Sequence, residues 1–270
     1  MKFCITPAGA RVAYQLEVEK DSIPLVLLHG FCEDHAVWLP IKSLLKAPSL
    51  LLMDMPGFGA SVNPTPADMS TYAEAVLTVL DAEHIARCIL VGHSMGGYVA
   101  LEFASRWPTR LAGLGLFHSH PFEDSEERKT ARLRGMETLK SGKRDLYVSQ
   151  LFPDLFAPEF LTQNPDVLNE LISNGKNQSP EGISAALQAM LTRRDHQEAL
   201  KVANFPVLFI LGAQDTLVPP ELGLKAALLP EVVDLHLLLE AAHMAMFECR
   251  EETVRILDSF WDFCGNAGIR

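Results

Sequence analysis

One serine stands between glycines where an apolar run gives way to a helical pattern. The run ends at Val91, the letters GHSMGG follow at 92–97, and helical spacing begins within them. Glycine and serine are common wherever a chain turns, so an ordinary turn is one interpretation. A serine nucleophile raised on a tight strand-to-helix turn needs small residues two positions to either side, where Gly92 and Gly96 stand. The pattern therefore favours Ser94 as a nucleophile. The free N–H groups and positive dipole end of the following helix point to the place where an oxyanion would form.

A serine hydroxyl reacts only when a base takes its proton, and the base needs an acid to orient it. On a parallel sheet these partners are expected after later strands, in the order serine, acid, histidine. Asp215 follows the apolar run Val207–Leu211, and His243 follows the run Val232–Leu239. Taken singly, Asp215 could be a helix N-cap and His243 a loop residue. Their joint placement with the serine turn predicts a catalytic triad of Ser94, His243 and Asp215.

The elements that must position these residues alternate between short apolar runs and helical patterns. This alternation predicts an α/β fold with a mostly parallel central sheet flanked by helices. A weak hairpin pattern opens the chain at Lys2–Thr6 and Arg11–Leu16. From 119 to 201 the patterns are helical only, with no convincing strand, which predicts an inserted helical cap. The expected domains are a core formed by 1–118 and 202–270 and a cap formed by 119–201.

The composition is that of an ordinary globular protein with excess acidic groups. The 270 residues carry a formal net charge of −11. Such a chain lacks the basic face that phosphate binding needs, so nucleic acid is not an expected partner. The first residues do not resemble a signal peptide, and no apolar run approaches the roughly 20 residues of a membrane span. The five cysteines form no C-x-x-C pair, which is typical of reduced thiols. The sequence predicts a cytoplasmic protein without membrane insertion.

Several spaced motifs resemble the α/β-hydrolase superfamily, in its serine esterase-like branch with a helical cap. Besides the serine turn, Leu27–Phe31 is similar to the family's oxyanion loop, and 54–61 is similar to its D-x-P-G-x-G-x-S loop. The resemblance implies that Ser94 is the nucleophile, that His243 is first general base and then acid, and that Asp215 orients it. It also implies an oxyanion hole formed by the backbone N–H groups of Phe31 and Met95. No cofactor and no metal are expected.

The substrate pocket is expected around the triad and under an apolar cap. Its candidate residues are His29, His118, Phe152, Phe156 and Met244. His29 is expected to hold the oxyanion loop by hydrogen bonds, and Met244 either lines the pocket or packs in the core. His118 and His120 alternate on a predicted strand, so they point to opposite faces and are not expected to bind a metal together.

Basic residues in the cap allow two interpretations. They comprise Arg193 and Arg194 and the cluster Arg128, Lys129, Arg132 and Arg134. The first interpretation is a solvated edge, because acidic residues adjoin both groups. The second is that an arginine meets an anionic group of the substrate or of a carrier protein.

The expected reaction is hydrolysis of a carboxylic ester with a small to medium apolar acyl group, through an acyl-enzyme. Haloalkane dehalogenases and epoxide hydrolases of this fold carry an aspartate where Ser94 stands, which argues against both. Carbon–carbon bond hydrolases commonly carry tryptophan where Met244 stands, so they are less favoured. Enol-lactone hydrolases, carrier-protein methyl ester esterases and perhydrolases stay compatible. A ligand receptor on a hydrolase fold is the alternative from another class. The substrate and the oligomeric state are left open.

Overall fold

The computed structural model describes residues 1–19, 22–62 and 68–267. Eight strands form one sheet in the order β1-β2-β4-β3-β5-β6-β7-β8. Their bounds are β1 Lys2–Ile5, β2 Arg11–Glu17, β3 Leu25–Leu28, β4 Leu50–Met53, β5 Cys88–His93, β6 Leu111–Phe117, β7 Val207–Gly212 and β8 Val233–Leu238. The first two strands pair antiparallel with each other, and β2 pairs antiparallel with β4. All the other pairs are parallel, which confirms the predicted fold class.

The central strands are apolar on both faces because both faces are covered by other elements. Every residue of β3, β5, β6 and β7 is buried, as is usual for parallel strands flanked by helices. The core helices are α1 Leu39–Lys42, α2 Met69–Ala82, α3 Met95–Arg106, α10 Pro220–Ala226, α11 Ala245–Glu248 and α12 Arg250–Ala267. Within the described ranges, none of the helices combines the length and the apolar character needed to cross a bilayer.

Between β6 and β7 the chain is helical, as the sequence predicts. The helices there are α4 Glu126–Lys140, α5 Arg144–Leu151, α6 Pro158–Gln163, α7 Pro165–Asn177, α8 Pro180–Leu191 and α9 Gln197–Lys201. Proline opens α6, α7 and α8, a position where its missing N–H costs no helical hydrogen bond. These three prolines therefore mark the starts of new helices in the cap. We refer to residues 119–201 as the cap.

The helical spacing of the sequence predicts one final helix, Met244–Phe263, whereas the structure contains two. The structure divides it into α11 and α12 at Cys249, whose backbone is not helical (φ −130°, ψ 54°). The side chain of Glu248 turns back there and accepts a hydrogen bond from the backbone N–H of Met244. Helical spacing of apolar residues continues across the break, which is why the sequence pattern alone does not reveal it.

Candidate active site

Ser94 sits on a strained turn between β5 and α3. Its backbone lies at φ 50° and ψ −112°, a region that side-chain-bearing residues rarely adopt. A Cβ atom on Gly96 would lie 2.7 Å from the carbonyl oxygens of both Leu28 and His29, and one on Gly92 would overlap the Gly96 backbone. Only glycine fits at either position, so the spacing of the sequence motif has a direct steric cause.

Two hydrogen bonds fix this turn to the end of β6. The backbone N–H of Ser94 donates to the carbonyl of Phe117 at 2.9 Å. The hydroxyl of Ser119 donates to the carbonyl of Ser94, also at 2.9 Å. The strained backbone is thereby held from both sides, which keeps the Ser94 side chain at the wall of a cavity.

Asp215 and His243 form a buried pair at the ends of β7 and β8. The Nδ1 atom of His243 lies 2.6 Å from Oδ2 of Asp215, and the N–H groups of Leu217 and Val218 donate to Oδ1. Burial alone would raise the pKa of the Asp215 carboxyl, but the adjacent His243 and the hydrogen bonds hold that pKa well below its usual range. The carboxylate therefore stays ionised and fixes the orientation of the imidazole.

The other nitrogen of the His243 ring, Nε2, is buried and has no hydrogen-bond partner among the described residues. With Nδ1 held by Asp215, this nitrogen is the acceptor of a neutral imidazole. Hydrogen bonds between a nucleophile and its base are often formed only when substrate is bound. An open Nε2 is what a general base needs.

The loop that carries His243 is attached to the cap. The backbone N–H of His243 donates to the carbonyl of Leu155 at 2.9 Å. The Glu248 carboxylate accepts from Ala157 of the cap at 2.7 Å and from Ala242 and Met244 at 3.0 Å. Burial raises the pKa of Glu248. This glutamate belongs to none of the sequence motifs, yet it positions the residues on both sides of His243.

A second buried ion pair connects the oxyanion loop with the serine turn. His93 places Nε2 2.9 Å from the carbonyl of His243 and Nδ1 3.1 Å from Oε2 of Glu33, which also accepts from Gly30 N–H at 2.6 Å. Both ring nitrogens face acceptors, so the ring donates twice as an imidazolium. Burial opposes that charge, yet Glu33 raises the pKa of His93. His93 directly precedes Ser94 in the chain, and no sequence motif points to its partner Glu33.

His118 differs most from its expected position. It lies beyond the end of β6 with a positive φ of 49°, and its Nδ1 is 3.3 Å from Oδ2 of Asp215. Burial lowers its pKa to about 4, so the ring is neutral near pH 7. It is not among the residues that line the cavity. The left-handed backbone turns the side chain under the Asp215 carboxylate, away from the expected pocket rim.

Two groups of described residues have the spacing of a metal site. The possible ligand atoms of His118, Asp215 and His243 all lie within 4.8 Å of one another, and so do those of Asp34, His35 and Asp54. Both groups contain a short histidine–aspartate contact of 2.6 Å. In each group this contact brings two of the three side chains together.

A cavity of about 480 Å³ lies next to the site and includes Ser94 and Phe31 in its wall. The cap contributes Tyr147, Leu151, Leu187 and Met190 to it, and the segment after Asp215 contributes Leu217, Val218, Pro219 and Leu222. These residues make one part of the wall apolar. A polar part follows at the start of α4, where Asp124, Arg128 and Arg132 line the same cavity.

The expected pocket residues lie outside this cavity wall. Phe152 is fully buried in the cap and would contact any side chain at Gly175, and Phe156 stacks on Phe160 at 5.4 Å. Met244 is fully buried. His29 bonds to the Gly30 carbonyl and to the Met55 N–H, which fits the expected support of the oxyanion loop. The two phenylalanines are buried in the cap, and the expectation that these residues line the substrate pocket stays a prediction.

Of the residues expected to form the oxyanion hole, Phe31 lines the same cavity as Ser94 and Met95 follows Ser94 directly in the chain. Phe31 lies in the loop after β3, where Cys32 has a positive φ of 62° and the Gly30–Glu33 hydrogen bond closes a tight turn. Met95 is the first residue of α3, so its N–H has no acceptor within the helix. Their assignment as oxyanion donors stays a prediction.

The polar part of the wall is built around Asp124. Arg132 and Arg193 both bind this carboxylate, and Arg193 also lies over the Tyr98 ring at 3.9 Å from its centroid. Burial opposes ionisation of Asp124, but the two arginines hold its pKa below the usual range. Arg193 is only 7% exposed, so the expected solvated edge is wrong at this residue. The neighbouring Arg194 does remain mostly exposed.

Removing this carboxylate is expected to destabilise the protein. Asp124→Asn leaves two arginines without their counter-charge, and breaking a buried pair in this way lowers the free energy of unfolding by about 3–5 kcal/mol. Urea unfolding measures the change. Asp145→Asn, which removes an exposed partner of Arg144, is the control and should change stability by less than about 1 kcal/mol.

The contacts of Asp124 with Arg132 and Arg193 also make the free energy of unfolding depend on pH. Because the pKa of Asp124 is lowered in the folded state, the unfolded chain binds the proton first. The stabilisation is complete above the unfolded pKa of about 3.9 and declines as the pH falls below it. Equal stability losses in the Asp124 and Asp145 variants would contradict this account.

A family model described as the alpha/beta hydrolase fold matches residues 23–248. The chain therefore belongs to the alpha/beta hydrolase fold family, as its motifs indicate.

Individual relatives differ in their reactions. A 2-succinyl-6-hydroxy-2,4-cyclohexadiene-1-carboxylate synthase from Klebsiella pneumoniae is 28% identical over 225 residues, which are 82% of this chain and 86% of the relative. A malate-bound thermophilic esterase from Thermogutta terrifontis superposes with a TM-score of 0.92 at 25% identity, covering 98% of this chain and all of the other. An enol-lactonase from Burkholderia xenovorans reaches a TM-score of 0.88 at 21% identity over 96% of this chain and 99% of its own, a likeness of fold alone.

Proposed function

We propose that this protein is a serine hydrolase that cleaves a carboxylic ester through an acyl-enzyme. The observation that carries the proposal is the unpartnered Nε2 of His243, on a ring fixed by Asp215 at 2.6 Å. The backbone carbonyl of His243 lies 2.9 Å from Nε2 of His93, the residue before Ser94 on its strained turn. The esterase from Thermogutta terrifontis, similar over nearly the whole chain, supports the same class of reaction.

In the first half of the proposed reaction, Ser94 Oγ attacks the ester carbonyl while His243 Nε2 takes the hydroxyl proton. The carbonyl π electrons move to oxygen, and the N–H groups of Phe31 and Met95 stabilise the oxyanion. Collapse of this intermediate expels the alcohol, which receives the proton from His243. In the second half, His243 takes a proton from water, the hydroxide attacks the acyl-enzyme, and Ser94 is released with its proton restored.

The apolar part of the cavity wall is proposed to hold the acyl group. Each buried methylene is worth about 0.8 kcal/mol, or roughly a fourfold gain in kcat/KM. We therefore expect kcat/KM for p-nitrophenyl esters to rise from acetate to a short or medium chain and then to fall once the cavity is full. If kcat/KM does not change with the length of the acyl chain, the proposal of an enclosed acyl site is wrong.

Two leucines on α5 offer a matched test of that assignment. Leu151 lines the cavity, whereas Leu146 on the same helix is 51% exposed. Leu151→Gln is expected to flatten the rise of kcat/KM with chain length, while Leu146→Gln preserves it. The same screen includes lactones, because a lactone is a cyclic ester open to the same chemistry.

Carbon–carbon bond hydrolysis is the second candidate, because the family includes enzymes that retain a serine triad for it. Such an enzyme should cleave vinylogous 1,5-diketones far better than any simple ester. Preference for the diketone would replace the proposed substrate class while leaving the roles of Ser94, His243 and Asp215 in place. Tight retention of an ester without turnover would favour the receptor alternative.

A further inference from the structure

The polar part of the cavity wall carries more positive than negative charge. Arg128, Arg132 and the supporting Arg193 contribute three guanidinium groups, against the carboxylates of Asp124 and the exposed Glu123. Asp124 is already shared by two of the arginines. Arg128 donates to the backbone carbonyl of Leu217 and has no ion-pair partner in the described part of the chain. One guanidinium charge at the cavity wall is therefore uncompensated.

A buried histidine beside these arginines also lacks a partner. His120 lines the same cavity and is only 8% exposed. Its Nδ1 has no hydrogen-bond partner within the residues described, while its ring stacks on Phe122 and meets the edge of Tyr98. Burial, reinforced by Arg193, lowers its pKa to about 3. The ring is neutral near pH 7, and its Nδ1 is a buried polar atom without a partner in the described part of the chain.

We propose that this part of the cavity binds a carboxylate at the distal end of the acyl group, so that the preferred substrates are esters of dicarboxylic acids with one acid group free. The inference rests on the proposed ester hydrolysis, because it places the acyl chain between Ser94 and the arginines. A guanidinium offers paired N–H donors that match the two oxygens of a carboxylate. Partial exclusion of water from the cavity strengthens that attraction.

The experiment compares monomethyl adipate and pimelate with the neutral methyl hexanoate and heptanoate of the same chain lengths. The wild type is expected to give a kcat/KM at least about tenfold higher for the anionic esters. Arg128→Gln should remove most of that preference, mainly by raising KM, and should change the neutral esters by less than about twofold. Arg128→Lys keeps the charge without the paired donors and should retain part of the preference.

Arg134→Gln is the matched control, because Arg134 lies on the same helix but is exposed and does not line the cavity. It should preserve the preference for the anionic esters. A wild type that treats anionic and neutral esters alike would overturn the inference. So would an Arg128→Gln variant that lowers both kinds of ester equally, since that pattern indicates only a structural role in the cap.

A binding measurement separates this inference from the proposed function. In the Ser94→Ala variant, calorimetry should show adipate binding more tightly than hexanoate, and Arg128→Gln should weaken adipate at least about tenfold. One outcome is that Ser94→Ala does not change turnover of either ester series, while Arg128→Gln still weakens adipate binding. In that case the proposed ester hydrolysis is wrong and the carboxylate site is supported. Equal binding of adipate and hexanoate would remove the anion site alone.

Discussion

Ester turnover is expected to fall by about 10³-fold or more in Ser94→Ala, with the fold intact. The loss follows from the removal of the only atom that can form the acyl-enzyme in the proposed reaction. Gly92 and Gly96 are unchanged in this variant, and the smaller alanine side chain makes no new steric contacts in the turn. The fold is therefore expected to remain intact. Initial rates with p-nitrophenyl butyrate, together with a thermal melting curve, measure the two parts of this expectation.

A fluorophosphonate provides an independent reading of the same assignment. The native chain should take up one label, and Ser94→Ala should take up none. Ser125 also lines the cavity, so Ser125→Ala is the matched control and should still be labelled. Persistent labelling of the Ser94 variant would show that another residue is the nucleophile.

The second large effect is expected at the acid and the base. Asp215→Asn should lower turnover by roughly 10²–10⁴-fold, because the amide no longer fixes the imidazole in the required tautomer. His243→Ala should cost at least as much, since it removes the base. Combining either change with Ser94→Ala should add little, because the three groups act as one unit. If the loss of turnover in a double variant equals the product of the losses in the two single variants, the residues act at separate sites.

The edge of the sheet supplies a control for this pair. His236 and Asp234 on β8 form another histidine–aspartate contact, at 2.8 Å, with both side chains partly exposed. Asp234→Asn should leave turnover within about twofold of the wild type, since this pair takes no part in the reaction. If Asp234→Asn lowers turnover as much as Asp215→Asn does, the loss comes from reduced stability. The melting curves would then show lower melting temperatures for both variants.

The parts of the fold that could be predicted from sequence are those that local spacing determines. Strands β3, β5 and β7 are short apolar runs because both of their faces are covered. The turn at Ser94 is readable because steric contact forces glycine at two fixed distances along the chain. Asp215 and His243 were located by the order of strands, which also depends only on position in the sequence.

The contacts that hold the site together join distant segments, and no local pattern reports them. Glu33 meets His93 across 60 positions, and Glu248 reaches Ala157 across 91. Either glutamate would pass for an exposed residue in the sequence. A signal was available for Glu248, since a carboxylate shortly after the base histidine can cap the loop around it.

The lining of the cavity was the least predictable feature. Whether a cap side chain faces the cavity depends on the rotation and tilt of its helix against the core. Leu151 lines the cavity while the adjacent Phe152 packs inside the cap, and apolar character alone cannot distinguish them. The burial of Arg193 is also unpredictable from local sequence, because it depends on contact with Asp124, which is distant in the chain.

The attachment of the His243 loop to Leu155 and Ala157 limits how specificity could be re-engineered in this protein. Cap exchange between relatives treats the inserted helices as a module that sets substrate choice and leaves the chemistry alone. Here a transplanted segment would also have to present a carbonyl to the His243 N–H and an N–H to Glu248. A chimera lacking either contact is expected to lose kcat toward every ester, whatever the shape of its new binding surface. Shuffling designs should therefore keep residues 155–157 with the parent core and place the junctions outside them.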